Sequence, residues 1–357
     1  MAEPLPRSRT GDVELDRKLR DLLDEVGGSA NRDQLLEILA TAVGLAQDGT
    51  DRLNLKITNV ALKEMRLAFQ VFAPYEAVPK VTIFGSARTL PADPLYAQAR
   101  DLASLLSGAG WMVVTGAGPG IMAAGLEGAG RERSFGVNIR LPFEQGANEF
   151  IAGDPKLVEM RYFFTRKLML VKESEAFVAL PGGFGTLDEA LELLTLQQTG
   201  KADPAPIVLL EVPQGTYWHG WERFVTDEVV ARGLISPADR TLYRITDDVR
   251  AAADEILGFY RNYQSRRFVG DLLVIRLRAA PAPDELAALS EEFADICLDG
   301  GIEASGPLPV EVSEGDHAEL PRVALRFDKV SHGRLRHLID RLNQLPSAPP
   351  PGPPPPR

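Results

Sequence analysis

The chain has 357 residues and a single cysteine, Cys297. One cysteine rules out a disulfide within the chain and any cysteine-cluster metal site. Histidine is scarce too: His219, His317, His332 and His337 all lie beyond residue 200. The first 200 residues can therefore supply neither a histidine base nor a histidine metal site, and the four are read as ordinary surface or packing residues. No apolar run reaches the roughly 20 residues of a membrane helix. The opening Met1-Ala2-Glu3-Pro4 is not the start of a signal-peptide apolar core. Basic charge is outnumbered, 39 Lys and Arg against 50 Asp and Glu, for a net charge of −11. Such a chain is poorly suited to wrapping nucleic acid, which needs a basic face. The expectation is a cytoplasmic protein without nucleic-acid or membrane partners. Cys297, in an apolar stretch at 286–298 read as helical, is expected to be a core thiol and not a nucleophile.

What is present is glycine in three particular places. Residues 181–189 read Pro-Gly-Gly-Phe-Gly-Thr-Leu-Asp-Glu. They follow the apolar run Ala-Phe-Val-Ala-Leu at 176–180, which has the look of a buried strand, and lead into a helical pattern from Ala190. Strand, glycine turn and helix start together make an anion site. The glycines allow close backbone approach, the first helical N–H groups point outward, and the helix dipole favours negative charge. A phosphate held by Gly182, Gly183, Phe184, Gly185 and Thr186 is expected, with the carboxylate of Glu189 one turn further on. The same letters also fit a capping box in which Thr186 caps the helix and Glu189 reaches back.

Two further turns supply context. Residues 81–88 form a strand pattern entering a turn at Gly85 and Ser86. Residues 111–120 form another, entering Gly116, Gly118 and Gly120, followed by a small-residue helix containing Met122. Helical spacing fills 96–108. Alternation of this kind predicts an α/β fold, a Rossmann-like doubly wound parallel sheet with its ligand beyond the carboxyl ends of the strands. The turn is not a dinucleotide fingerprint: Ile121 stands where the last glycine belongs, and the strand at 135–139 ends in Asn138 and Arg140 instead of an acid. No P-loop sequence occurs. A mononucleotide or sugar phosphate fits better.

These residues resemble the LOG (LONELY GUY) family, which has also carried the label possible lysine decarboxylase. The marks are the P-G-G-x-G-T-x-x-E run at 181–189, the Arg166-Lys167 pair in an upstream helix, the Gly-Ser-Ala turn at 85–87, and the Thr-Gly-Ala-Gly-Pro-Gly-Ile-Met run at 115–122. The resemblance covers about residues 78–262. It implies a phosphoribohydrolase that cuts the N-glycosidic bond of a nucleoside 5′-monophosphate, AMP or a cytokinin riboside monophosphate, releasing free base and ribose 5-phosphate. It implies Arg166 and Glu189 as the catalytic pair and a homodimer or larger homo-oligomer; no cofactor is expected, and no metal, since no carboxylate cluster of metal-ligand character accompanies the loop. Lys167 is expected to face solvent or to help electrostatically, and Glu192 is a further candidate helper. An oxocarbenium-like sugar cation suits a nearby carboxylate, and an arginine fork suits phosphate or sugar oxygens.

Around this unit, residues 13–26, 32–46 and 53–72 read as helices, with Asn31 as a cap. The domains are expected at 1–77 (helical), 78–264 (the Rossmann-like unit), 268–345 (a βαββα module with strands near 271–277, 302–312 and 322–327), and 346–357 (a proline-rich disordered tail). The polar run at 262–267 is read as a joint. Residues 1–10 are expected to be disordered. Trp218, Trp221 and Phe224 share a helix spacing that reads as core. Two other functions compete: a non-catalytic nucleotide- or sugar-phosphate-binding protein on the same fold, and a pyridoxal-phosphate lysine decarboxylase. The second is disfavoured because no histidine stands near a lysine of the central unit.

Overall fold

The computed structural model describes residues 10–27, 31–140 and 146–350. The expectation of disorder for the first residues falls outside these, except at Thr10, as does the tail beyond residue 350. The chain separates into two compact units at Met65/Arg66.

The first unit holds α1 (Val13–Val26), α2 (Arg32–Gln47) and most of α3 (Arg52–Phe72). The Asp12 carboxylate caps α1 by accepting from the N–H groups of Glu14 and Leu15. Asp51 does the same for Leu53 and Asn54 at the start of α3. Asn31 occupies the cap position of α2 but makes no side-chain cap bond.

The second unit begins with a parallel α/β layer. Its elements are β1 (Lys80–Phe84), α4 (Pro94–Gly108), β2 (Met112–Thr115), α5 (Ile121–Ala129), β3 (Ser134–Ile139), β4 (Leu157–Met160), α6 (Phe163–Lys172), β5 (Ala176–Ala179), α7 (Phe184–Gln198), β6 (Ile207–Leu210), α8 (Tyr217–Phe224), β7 (Arg244–Thr246) and α9 (Val249–Phe259). The sheet order is β4-β3-β2-β1-β5-β6-β7, and every pairing is parallel. Strands β1, β2, β5 and β6 are buried at every position. That is why they read as continuous apolar runs without alternation. Val81, Ile83, Val113, Val178 and Val208 pack with Leu102 and Leu106 of α4 and Ile256 of α9 in one core. Each such side chain contributes about 1.5–3 kcal/mol on burial. The chain winds outward from β1 to β4 and then returns to lay β5 beside β1. The strand order therefore reverses between β1 and β5, the place where such sheets bind ligands.

A second sheet follows. Its elements are β8 (Tyr263–Val269), β9 (Leu272–Leu277), α10 (Pro283–Glu292), β10 (Glu303–Ser305), α11 (Pro309–Glu314), β11 (Arg322–Leu325) and α12 (His332–Gln344). Its order is β10-β11-β9-β8, all antiparallel. The α+β character is as expected, but three details differ. The polar run at 262–267 is no joint: it opens β8, an edge strand whose consecutive polar residues Gln264 to Arg267 are partly exposed. Residues 302–312 give only a three-residue strand before Pro309 starts a helix. The tail begins later than expected, because Arg261 Nε donates to the Pro349 carbonyl (2.6 Å), Ser347 N donates to Glu285 (3.0 Å), and Ala348 is buried.

The two sheets are stitched together. Asn343 Oδ1 of α12 accepts from the N–H groups of Asn262 and Tyr263, both at 2.8 Å, and its amide donates to the Phe259 carbonyl at 2.5 Å. Arg336 of α12 pairs with Glu255 of α9 at 2.6 Å. Phe259 and Tyr263 belong to the same apolar cluster as Leu335, Leu338 and Leu342.

Candidate functional site

The three glycine turns all stand at the carboxyl ends of parallel strands, after β1, β2 and β5. They are bonded to one another. Ser86 N donates to the Pro181 carbonyl (3.3 Å), and Ile121 N donates to the Ser86 carbonyl (3.0 Å). Gly120 is obligatory here: its φ is +68°, and a Cβ would lie 2.3 Å from the Ser86 carbonyl oxygen. At Gly182 a Cβ would come within 2.1 Å of Thr186 Oγ1. Gly182 and Thr186 thus close the loop on itself. Met122 lies over the second turn, where its side chain would meet a Cβ on Gly116 or on Gly118 at 2.7 Å. Ile121 N is spent on Ser86, so the start of α5 holds the turns together instead of offering that amide to a ligand.

Helix α7 starts one residue after Gly183, earlier than the capping-box reading requires. Gly183 is the cap residue and provides no side chain. Thr186 N and Leu187 N both donate to the Gly183 carbonyl. Glu189 is therefore well inside the helix and cannot reach back to the cap, so the capping-box reading is corrected. Instead Glu189 is 6% exposed, and its Oε2 has no hydrogen-bond partner among the described residues. Burial pushes its carboxyl up to about 7, against the pull of Lys167 and Arg166. A buried carboxyl with a raised pKa beside two cations is a poor structural element and a good chemical one.

Arg166 comes from the first turns of α6, whose backbone follows β4. Its Nε donates to the Val137 carbonyl of β3 at 2.9 Å. Its guanidinium fills the space over Gly116, where Nη2 would be 2.0 Å from a Cβ. The arginine thus spans from β3 to the second glycine turn. Lys167 does not face solvent. Its ammonium pairs with Asp188 (3.0 Å) and Glu192 (2.5 Å), tying α6 to α7. Glu192 enters the site as that partner. Phe184 stands 91% exposed at the loop tip, so its side chain touches little of the chain around it.

Three contributors had no readable signal. Tyr217, at the start of α8, donates from its hydroxyl to the Gly182 carbonyl at 2.7 Å. Asn148 donates its amide to the carbonyls of Ala117 (3.0 Å) and Gly118 (2.8 Å), pinning the second turn. Glu211 accepts from the N–H groups of Tyr217 (3.1 Å) and Trp218 (2.9 Å), holding α8 in place. The stripe expected on α8 is only partly core: Trp218 is buried while Phe224 is 54% exposed.

Residues 120–256 match the family model described as "Possible lysine decarboxylase". Cytokinin riboside 5′-monophosphate phosphoribohydrolase LOG1 of Arabidopsis thaliana is 47% identical over 75 residues, 21% of this chain and 33% of that protein. The probable phosphoribohydrolase LOG6 of the same plant is 35% identical over 121 residues, 34% of this chain and 57% of that protein. The matched segment is similar to that family. The chain spans about a third to just over half the length of these two relatives. Among solved structures, a molybdenum cofactor binding protein from Rippkaea orientalis aligns with a TM-score of 0.36 and 19% identity, over 48% of this chain and 91% of that one.

The matched segment, 120–256, contains Arg166, Lys167, the loop at 182–186, Glu189 and Tyr217. Gly85, Ser86 and Gly118 lie before it in sequence and join it through the sheet and through the bonds of Ser86 with Pro181 and Ile121 and of Gly118 with Asn148. No histidine, cysteine and carboxylate group of metal-binding size occurs among the described residues, and no helix among them is long and apolar enough to cross a membrane.

Proposed function

We propose that the chain hydrolyses the N-glycosidic bond of a nucleoside 5′-monophosphate, AMP or a cytokinin riboside monophosphate, to free base and ribose 5-phosphate. The observation that carries this is Glu189. It is a buried carboxyl with an unpartnered oxygen, roughly 7–8 Å along α7 from the glycine loop at the rise of an α-helix. In this reading the 5′-phosphate sits on the amides from Gly182 to Thr186 and on the positive end of α7. Arg166 forks onto phosphate or sugar oxygens. As the bond from the anomeric carbon to the base nitrogen breaks, its electron pair leaves with the base. The Glu189 carboxylate faces the growing sugar cation and orients the water that adds to that carbon. The departing nitrogen takes up a proton, and the water gives one up. Lys167, paired to Glu192 and Asp188, holds positive charge near the phosphate side.

Apolar side chains left in the open on α6, Phe163 (54%), Phe164 (55%) and Leu168 (46%), support a homodimer or larger homo-oligomer through this face. The sequence match to "cytokinin riboside 5′-monophosphate phosphoribohydrolase" proteins supports the substrate class without fixing the base.

The test is a panel of nucleoside 5′-monophosphates assayed for free base and ribose 5-phosphate, with each nucleoside alongside. AMP-type substrates are expected to turn over at least about a hundredfold faster than adenosine, since the anion loop has no use for an uncharged nucleoside. Equal rates would remove the phosphate role of residues 182–186. Tight nucleotide binding with no turnover across the panel would favour a carrier over an enzyme.

A further inference from the structure

The segment 146–152 lies between β3 and β4 and meets the second glycine turn through Asn148. Every polar group of Asn148 is in use. Its backbone N–H and its side-chain amide both donate to the Ala117 carbonyl, at 2.9 and 3.0 Å, and the amide also donates to the Gly118 carbonyl at 2.8 Å. Its Oδ1 accepts from Phe150 N at 3.2 Å, which fixes the way the amide points. Its own carbonyl accepts from Ile151 N and Ala152 N.

What these bonds hold is a strained residue. Ala117 has φ +60°, in the left-handed region that a side chain disfavours, and it is fully buried. Glycine would adopt this conformation freely, but the Ala117 methyl packs with Leu126 and Ile151. Its N–H donates to Thr115 Oγ1 at 3.1 Å. A residue in such a conformation persists where its surroundings over-determine it. Released, it would relax toward negative φ, and the neighbouring backbone at Gly116 would turn with it.

Gly116 is the floor beneath Arg166. The guanidinium and the Met122 sulfur occupy the space that a Cβ on Gly116 would take. The other anchor of Arg166, from Nε to the Val137 carbonyl, lies on β3. Glu189 is faced by Lys167 and Arg166 of α6 and by Asp188 and Glu192 of its own helix. Lys167 is tied to those two carboxylates. Arg166 is thus the charge near Glu189 whose place depends on the second turn.

We propose that Asn148 is a positioning residue: by holding Ala117 left-handed it keeps the backbone at Gly116 open beneath Arg166, and so sets where the guanidinium stands relative to Glu189. This placement stands without the hydrolase reading; an effect on turnover rests on it.

The first measurement needs no substrate. The full chain, isotopically labelled at the glutamate carboxyls, is titrated by carbon NMR, the Glu189 signal being the one absent from Glu189→Gln. In Asn148→Ala its midpoint is expected to rise by about half a pH unit or more, as the pull of Arg166 weakens. Ala117→Gly alone should leave the midpoint in place. Added to Asn148→Ala, it should restore at least half of the shift, because glycine keeps the left-handed turn without the clamp. Asn148→Ser, with one side-chain donor where the amide has two, is read in the same way should the alanine variant not fold. Hydrolysis of AMP should follow the midpoint: kcat/KM at pH 7 falls about tenfold or more in Asn148→Ala and recovers in the double variant. An unmoved midpoint in Asn148→Ala, or an equal shift with and without Ala117→Gly, would overturn the proposal. A parent chain that turns over no nucleotide, while the shift and its rescue are seen, would remove the hydrolase reading and leave the role of Asn148 standing.

Discussion

The Tyr217 hydroxyl donates a 2.7 Å hydrogen bond to the Gly182 carbonyl, so helix α8 holds the glycine loop that starts α7. The two residues are 35 positions apart, and the bond turns a locally flexible loop into a fixed one. A net hydrogen bond of this kind contributes about 0.5–1.5 kcal/mol. Tyr217→Phe is therefore expected to raise KM for a nucleoside monophosphate by about two- to tenfold, with kcat nearly unchanged. Steady-state kinetics check this. An unaltered KM would detach Tyr217 from substrate binding.

Glu189→Gln is expected to lower hydrolysis by at least about a hundredfold, because the amide cannot face a sugar cation as an anion does. The same change has a stability signature. Burial raises the folded-state carboxyl from 4.5 to about 7, so folding favours the protonated form. Below pH 4.5 the carboxyl costs nothing. As pH rises from 4.5 through 7 stability is lost, and above 7 the loss levels off at about 3 kcal/mol. The glutamine variant should thus melt higher than the parent at pH 8 and nearly with it at pH 4.5. A melting difference that does not change with pH would show that Glu189 is not buried as an acid.

In the parent, kcat/KM for a nucleoside monophosphate should climb with pH through about 7 as Glu189 ionises. Arg166 holds that carboxyl down. Arg166→Lys keeps the charge but loses the planar fork, so it should retain a small fraction of the activity. Arg166→Ala should lose turnover, and its residual activity should rise at higher pH than the parent's. A pH profile that stays in place in Arg166→Ala would remove the electrostatic coupling between the two.

A chain ending at Arg267 is expected to be insoluble. It would cut β8, strip β9 from its side, and expose Phe259 and Tyr263, which now pack with α12. It would also leave Glu255 without Arg336. A folded, monodisperse truncation by light scattering would show that the parallel sheet needs none of these contacts.

The parallel sheet and its three turns were legible because each is a local matter. Buried strands are written as apolar runs, as at residues 176–180. Glycine is required wherever a backbone packs against another, as Gly120 does against Ser86. Strand β4 escaped notice because only two of its four residues are buried and it carries Glu159 outward. The capping-box reading of Thr186 and Glu189 failed because cap and interior positions share residue types, and only the start of α7 at Phe184 tells them apart. The polar run at 262–267 looked like a joint because this edge strand carries four consecutive polar residues, Gln264 to Arg267, as a linker does. Its partners, β9 and Asn343, are distant in sequence.

By itself the sequence determined the core alternation of buried strands, glycine turns and helices, and with it the loop at 182–186 and Arg166 and Glu189 as candidates. Those depend on neighbours within a few residues, where backbone sterics and helix periodicity act. Only the tertiary structure decided that Glu189 is buried with an acid strength near neutrality, that Lys167 is bound between two carboxylates, and that Tyr217 and Asn148 fix the turns. Burial and charge pairing arise between segments tens of residues apart, and their energies depend on distance and dielectric, which no linear pattern records.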